Sequence, residues 1–279
     1  MTREPAAPAE LTDAARPALL SLLGACADTK LILGYHYLEW TFGAPALEAG
    51  IAACAMGQDE LGHARVLHGV LQQAFALEPE HLVEHRPAAQ FASASFLDKP
   101  LPNWPAVVAA NAFVDLAASL VLESFRGSTF GPIARIVDKM LEEERHHHEH
   151  GRGWFGLLIR RGGAARQEMV AAARDALVSV QEFIGPPAED AEAALLESGI
   201  RRLGTAEVRM RLGEQLSDLA EFAGLDEDEV LPGGSLCVDP RAIAWTEWGP
   251  ARRRVGTSGP DEELLKHLRG TKNVQYRKA

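Results

Sequence analysis

Cysteine is scarce: Cys26, Cys54 and Cys237 are the three in 279 residues. That is too few for a disulfide framework, and no CxxC pair is present to hold zinc, so a reducing compartment is expected. Aromatic residues make up 6% of the chain. No apolar run reaches the roughly 18 residues of a membrane span. The N-terminus, MTREPAAPAE, has no basic stretch with an apolar one behind it and so carries no visible export signal. Positive charge is also short, with 28 Lys and Arg against 39 Asp and Glu and a net charge of −11. This balance argues against a nucleic-acid binder, which would carry a basic surface. The expectation is a soluble, cytoplasmic protein with neither nucleic acid nor membrane as partner. What is plentiful is Ala, Leu, Glu and Arg, the composition of helix. The 47% hydrophobic content and the length suffice for one large domain or two small ones.

Helical patterning is expected over about 11–42, 46–77, 106–126 and 132–160. The breaks are Gly43-Ala44-Pro45 and the run Gly127 to Pro132, and a long crossover contains Pro79, Pro87, Pro100, Pro102 and Pro105. Two helical hairpins joined by a long crossover are the connectivity of a ferritin-like four-helix bundle. Further helices are expected at about 165–183, 188–203 and 205–223, with a short one near 260–269. Residues 1–9 are read as a frayed N-terminus, 10–224 as the helical domain and 225–279 as an irregular tail. From Arg252 onward the tail holds eight Lys and Arg against three acids, formally +5. It is read as a solvated, surface-wrapping segment, or alternatively as a dock for an acidic or phosphorylated partner.

The residues with chemistry to offer lie on the bundle helices. Glu60-Leu61-Gly62-His63 and Glu144-Arg145-His146-His147 each place a carboxylate and an imidazole one turn apart on the second helix of a hairpin. The apolar stripe Ala53, Met56, Glu60, His63, Leu67, Val70 runs through the first pair. The second lies on the stripe Ile133, Val137, Met140, Glu144, His147, Gly151, Trp154. Both pairs should therefore face the core rather than form surface ion pairs. Buried carboxylates are costly when unpaired, and a metal ion is one way to offset that cost. Asp115 joins them on the stripe Val108, Asn111, Asp115, Ala118, Leu122. It is as far before the 127–132 turn as Glu144 is after it, hence at the same height. Asp59 and Glu143, each directly before a ligand-type Glu, can orient the histidine of the opposite helix. His146, His148 and His150 fan around the helix and are read as solvated or supporting. Glu39 sits about nine residues, roughly 13 Å of helix rise, from the level of the cluster and is read as structural.

The anomaly is Lys30. Counted about Pro45 it stands opposite Glu60, in a cluster of three carboxylates. With neutral histidines the set then sums to −2, which balances one divalent ion. Four states remain open: two irons completed by water or substrate, one iron, a carbamylated Lys30, or a lysine–carboxylate network with no metal.

These residues resemble the ferritin-like subunits of the bacterial phenylacetyl-CoA epoxidase (monooxygenase) complex, best over about residues 20–160. The catalytic subunit of that family holds two irons with a Glu, an ExxH, an Asp and a second ExxH. Glu60, His63, Asp115, Glu144 and His147 fall on the last five ligands in order, and Lys30 falls where the first Glu stands. The segments Gln58 to His63 and Phe113 to Ala118 are similar to the catalytic subunit. Leu38-Glu39-Trp40, Ala44 to Glu48 and Arg152-Gly153-Trp154 are similar to the non-catalytic sister. The resemblance implies a non-haem iron monooxygenase or epoxidase subunit, with two irons expected first and one second. It implies Lys30, Glu60, Asp115 and Glu144 at the reacting centre, electrons from a separate reductase, and a small-molecule substrate of aromatic or CoA-thioester type. It also implies a sister subunit or homo-oligomer as partner. The rival readings are a ferroxidase or iron-storage bundle and a non-catalytic scaffold subunit.

Overall fold

The computed structural model describes residues 11–78, 82–83, 85–186, 192–226, 239, 241 and 243–269. Four long helices form the bundle: α1 (Ala15–Glu39), α2 (Leu47–Phe75), α3 (Trp104–Glu123) and α4 (Val137–Arg161). Two more, α5 (Gly163–Ile184) and α6 (Thr205–Ala223), pack against α3 and α4. A two-stranded hairpin, β1 (Trp248–Gly249) with β2 (Arg254–Val255), and a short helix α7 (Glu262–Leu268) follow. The fold is all-α and ferritin-like.

The apolar composition of α1 and α3 follows from their place in the centre. Each is long and apolar enough to cross a membrane by length and hydropathy alone. In the fold α3 is buried all round and α1 over most of its surface, as helices without a polar face must be. The α1–α2 register is fixed by two glycines in mutual contact. A Cβ on Gly57 would stand 2.7 Å from Leu38 Cγ, and one on Gly34 would stand 3.0 Å from the Gly57 carbonyl. Close approach of the two backbones at this level places Lys30 across from Glu60.

Helix α3 is not uniform. It starts from Asn103, whose side chain accepts from the Ala106 amide at 3.0 Å. Over Ala110–Asp115 it widens into a π-helical segment, a feature frequent at functional sites. Gly151 of α4 lies against this segment, where a Cβ would approach Asn111 Oδ1 to 2.7 Å.

Three expectations need correction. The helix expected over 188–203 is, among the described residues, a single turn, Ala193–Glu197. It stops because Gly199 adopts φ +69° and the buried Arg201 guanidinium turns back to Glu192 and Ser124. The helix expected from 132 begins at Val137, after a separate turn at Gly131–Ala134. The arginines that open the basic tail are not solvated. Arg253 and Arg254 are buried, and the latter forms a two-point pair with Asp98 at 2.7 and 3.1 Å. Arg253 donates to the carbonyls of Phe183, at 2.8 Å, and Ile184, at the C-terminus of α5. Arg252 donates to the Phe91 carbonyl at 3.1 Å. The expected frayed segment 1–9, and Lys272, Arg277 and Lys278 of the tail, lie outside the described residues.

Candidate metal centre

Each bundle helix sends polar side chains into the interior at one level. Lys30 from α1, Glu60 and His63 from α2, Asp115 from α3, and Glu144 and His147 from α4 are all buried, none more than 3% exposed. Lys30 Nζ donates to Glu60 Oε1 at 3.0 Å, Asp115 Oδ1 at 2.5 Å and Glu144 Oε1 at 2.5 Å. His147 Nδ1 lies 3.0 Å from Glu60 Oε1, 3.3 Å from Asp115 Oδ2 and 3.7 Å from Glu144 Oε2. His63 Nδ1 is 3.0 Å from Glu144 Oε1. Glu60, Asp115, Glu144 and His147 each present a donor atom within 4.8 Å of the others, and carboxylate and imidazole donors suit iron among other metals. Glu60 Oε2 is buried and has no hydrogen-bond partner, an orphan that a cation would satisfy. The residues present fit a metal ion. The ammonium of Lys30 lies among these donors, hydrogen-bonded to all three carboxylates.

Both histidines are held from outside. His63 Nε2 meets Glu143 Oε2 at 2.8 Å, and His147 Nε2 meets Asp59 Oδ2 at 3.4 Å. A carboxylate on the outer ring nitrogen fixes the orientation of an imidazole and raises its basicity toward a metal. Glu39 stays outside the cluster, 39% exposed and accepting from Tyr35 Oη at 2.7 Å. His150 Nδ1 contacts Asn111 Oδ1 at 3.2 Å.

Without a metal ion the charges balance internally. Burial by itself would lower the Lys30 pKa, but Asp115, Glu144 and Glu60 more than offset it and hold the ammonium well above its usual range. Burial and the Asp115 and Glu144 charges push Glu60 up to about 8. Burial would raise Asp115, yet Lys30 and His147 hold it well below the ordinary carboxylate range. Burial opposes charging of His147, but Asp115 and Glu60 win and carry it to about 11. Lys30 and His147 are thus held toward their charged forms opposite Asp115 and Glu144, while Glu60 is pushed toward its neutral form. Entry of a metal ion must release protons from this set.

The family model for phenylacetic acid catabolic proteins matches residues 2–233. The chain belongs to this phenylacetic acid catabolic family. It is also 28% identical over 174 residues, 62% of this chain and 69% of the relative, to one of the subunits of the 1,2-phenylacetyl-CoA epoxidase of Escherichia coli (strain K12). That relative is by its name one component of an epoxidase, and in this family member Glu60, Asp115, Glu144 and His147 are buried and close enough together that they could hold a metal ion.

Three contributors in this family member escape the motif reading. Tyr37 donates to Asp115 Oδ2 at 3.1 Å, Asn111 reaches the same oxygen at 3.4 Å, and Ser119 donates to Glu144 Oε2 at 2.8 Å. Each had a periodicity signal: Tyr37 lies seven residues after Lys30, and Asn111 and Ser119 lie four on either side of Asp115. A cleft of about 630 Å³ lies between α3, α4 and α6. Its wall combines apolar Ala112, Leu116 and Phe222 with two arginines, Arg145 and Arg152, and three acids, Glu149, Asp218 and Glu221.

Proposed function

We propose that this chain is a subunit of an oxygen-dependent epoxidase or monooxygenase assembly acting on an aromatic or acyl-CoA-type substrate, and that its bundle holds a single iron ion. The observation that carries the single ion is the division of labour among the carboxylate oxygens. Lys30 takes Glu60 Oε1, Asp115 Oδ1 and Glu144 Oε1. Asp115 Oδ2 and Glu144 Oε2 lie on His147 Nδ1, and Glu60 Oε2 is left unpartnered. Glu60, Asp115, Glu144 and His147 would hold the ion, with His63 beside them. Bound there, iron would supply the activation of dioxygen for transfer of an oxygen atom to the substrate.

The residues around it have defined tasks. Lys30 supplies a fixed positive charge against three carboxylates and excludes a second ion from its side of the cluster. Ser119 and Tyr37 hold Glu144 and Asp115 in orientation, and Asp59 and Glu143 hold the imidazoles. The cleft lined by Ala112, Leu116, Leu219 and Phe222 gives a substrate room. Reducing equivalents would come from a separate reductase, and a sister subunit would be the assembly partner.

A second reading has its own support. The internal charge balance of the cluster makes it stable with no metal, as a scaffold subunit would need, and the relative is by name one part of an assembly. The test is elemental analysis of the chain purified without chelator and supplied with ferrous iron under anaerobic conditions. About one iron per chain supports the proposal. None supports the scaffold, two restores a paired centre, and many per chain indicates storage.

A further inference from the structure

A second group of ligand-type side chains stands at the C-terminal end of α1, about two turns past Lys30. His36 is fully buried, and its Nε2 lies 3.0 Å from the Leu97 carbonyl. A carbonyl only accepts, so Nε2 carries the proton and donates, and in the neutral ring Nδ1 is a bare lone pair. That Nδ1 is buried and has no hydrogen-bond partner among the described residues. It faces Glu39 Oε2, 3.5 Å away. The other oxygen of Glu39 is taken, since Tyr35 donates to Oε1 at 2.7 Å. Contact with His36, working against burial, and the Tyr35 hydroxyl hold the Glu39 carboxyl below its ordinary value. Two acceptors therefore face each other across a gap, and a positive species between them removes the conflict.

We infer that His36, Glu39 and His267 form a second metal site, for a borderline divalent ion such as zinc, that fastens α7 to the end of α1. The 3.5 Å gap between His36 Nδ1 and Glu39 Oε2 decides between a proton and an ion. A charge-assisted N–H···O bond would close to about 2.7–2.9 Å. Two ligands on one zinc, each about 2.0–2.1 Å from it at a tetrahedral angle, stand about 3.3 Å apart. His36 also has the outer contact of a metal-binding imidazole: a backbone carbonyl on one ring nitrogen fixes the tautomer and turns the other nitrogen to the metal. A His and a Glu three residues apart share one helix face. Here they fill the last turn of α1, where the helix dipole favours a cation. His267, exposed on α7, is the third ligand. Its ring lies beside that of Tyr35, with centroids 5.7 Å apart, and Tyr35 is the residue bonded to Glu39. Two imidazoles and a carboxylate are a donor set that zinc accepts, with water completing the four. The site joins three segments far apart in sequence: α1, the crossover through Leu97, and the C-terminal helix.

The experiment is equilibrium dialysis of the full chain, stripped of metal, against micromolar zinc, as wild type, Glu39→Gln, His267→Ala and Glu48→Gln. Glu39 and His267 are exposed, so their replacement leaves the core intact. Each should lose one zinc per chain relative to wild type, through an affinity weaker by about a hundredfold or more. Any zinc held by the polar centre stays in both variants. Glu48 is exposed in the first turn of α2, and its replacement removes a carboxylate outside the site and should keep the wild-type count. Zinc should also raise the thermal midpoint of wild type further than that of His267→Ala, because the ion ties α7 down. A zinc count in either site variant equal to that of wild type overturns the proposal. An equal rise of the midpoint in wild type and His267→Ala overturns it as well.

Discussion

Lys30 decides the chemistry of the centre, and its replacements separate the states open to it. Lys30→Glu adds a carboxylate at the position of the ammonium and removes the positive charge that excludes a second ion. Iron per chain should rise from about one toward two, read by elemental analysis. Lys30→Met removes the charge without adding a donor, so occupancy should stay equal or rise modestly. The iron-free form of the methionine variant should lose stability by about 3–5 kcal/mol in chemical denaturation, because two buried carboxylates lose their counter-charge. If Lys30→Glu instead loses iron or abolishes oxygen-dependent turnover, the lysine is a working part of the site and not the replacement of a ligand. Asp59→Asn and Glu143→Gln test the outer contacts. Each keeps the size of the side chain and removes the charge on an imidazole nitrogen, so each should weaken metal affinity by about 10–100-fold in a chelator competition without unfolding the bundle.

At the scale of the helices, part of the arrangement was legible in the sequence and part was not. The pairing of Lys30 with Glu60 and of Asp115 with Glu144 follows from counting outward from two turns, because antiparallel helices of equal rise keep equal heights. The inward direction of Glu60, His63, Glu144 and His147 follows from the apolar stripes they interrupt. The π segment at Ala110–Asp115 was not legible, since no residue type announces it. It arises where Gly151 lets α4 press against Asn111 and Ala112. That contact also brings His150 onto Asn111 and edge-on to Trp104, with ring centroids 6.2 Å apart. Burial there lowers the His150 pKa to about 4, with the positive charge of His147 adding to the effect. An unfolded histidine titrates near 6.5, so the unfolded chain takes up this proton first as pH falls. The stability due to neutral His150 is therefore complete above about pH 6.5 and is lost progressively toward pH 4, by roughly 3 kcal/mol in all. His150→Gln should remove this part of the acid slope. Denaturation midpoints of the two proteins should converge between pH 7.5 and pH 5.

At the scale of the whole molecule, the described part of the C-terminal segment is a clasp, and its charge count alone could not reveal that. Composition shows a basic run, and a basic run on a surface is ordinarily solvated. Burial turned it inward because acceptors wait for it: the Asp98 carboxylate, the Ser93 carbonyl and the last carbonyls of α5. Helix C-termini leave such carbonyls unpaired, and a guanidinium is the side chain best shaped to collect several of them. The clasp ties the α2–α3 crossover to α5. The same crossover is fastened to α1 beside Lys30, where Asp28 accepts from Arg86 and from the Ala92 amide at 2.7 Å, and Thr29 accepts from the Ala94 amide at 3.1 Å. Loosening the clasp should therefore be felt at the wall of the polar centre. Arg254→Met keeps the bulk but leaves Asp98 buried without its partner, and should cost about 3–5 kcal/mol, measured as a fall in the thermal midpoint. Arg254→Lys should recover less than half of that loss, because one ammonium cannot reproduce the two-point contact with Asp98 together with the bond to Ser93. The loss should persist at high salt, since a pair 1% and 12% exposed lies beyond the reach of ionic screening. A loss that shrinks as salt is added would place the pair in solvent and remove the clasp from the account of the fold.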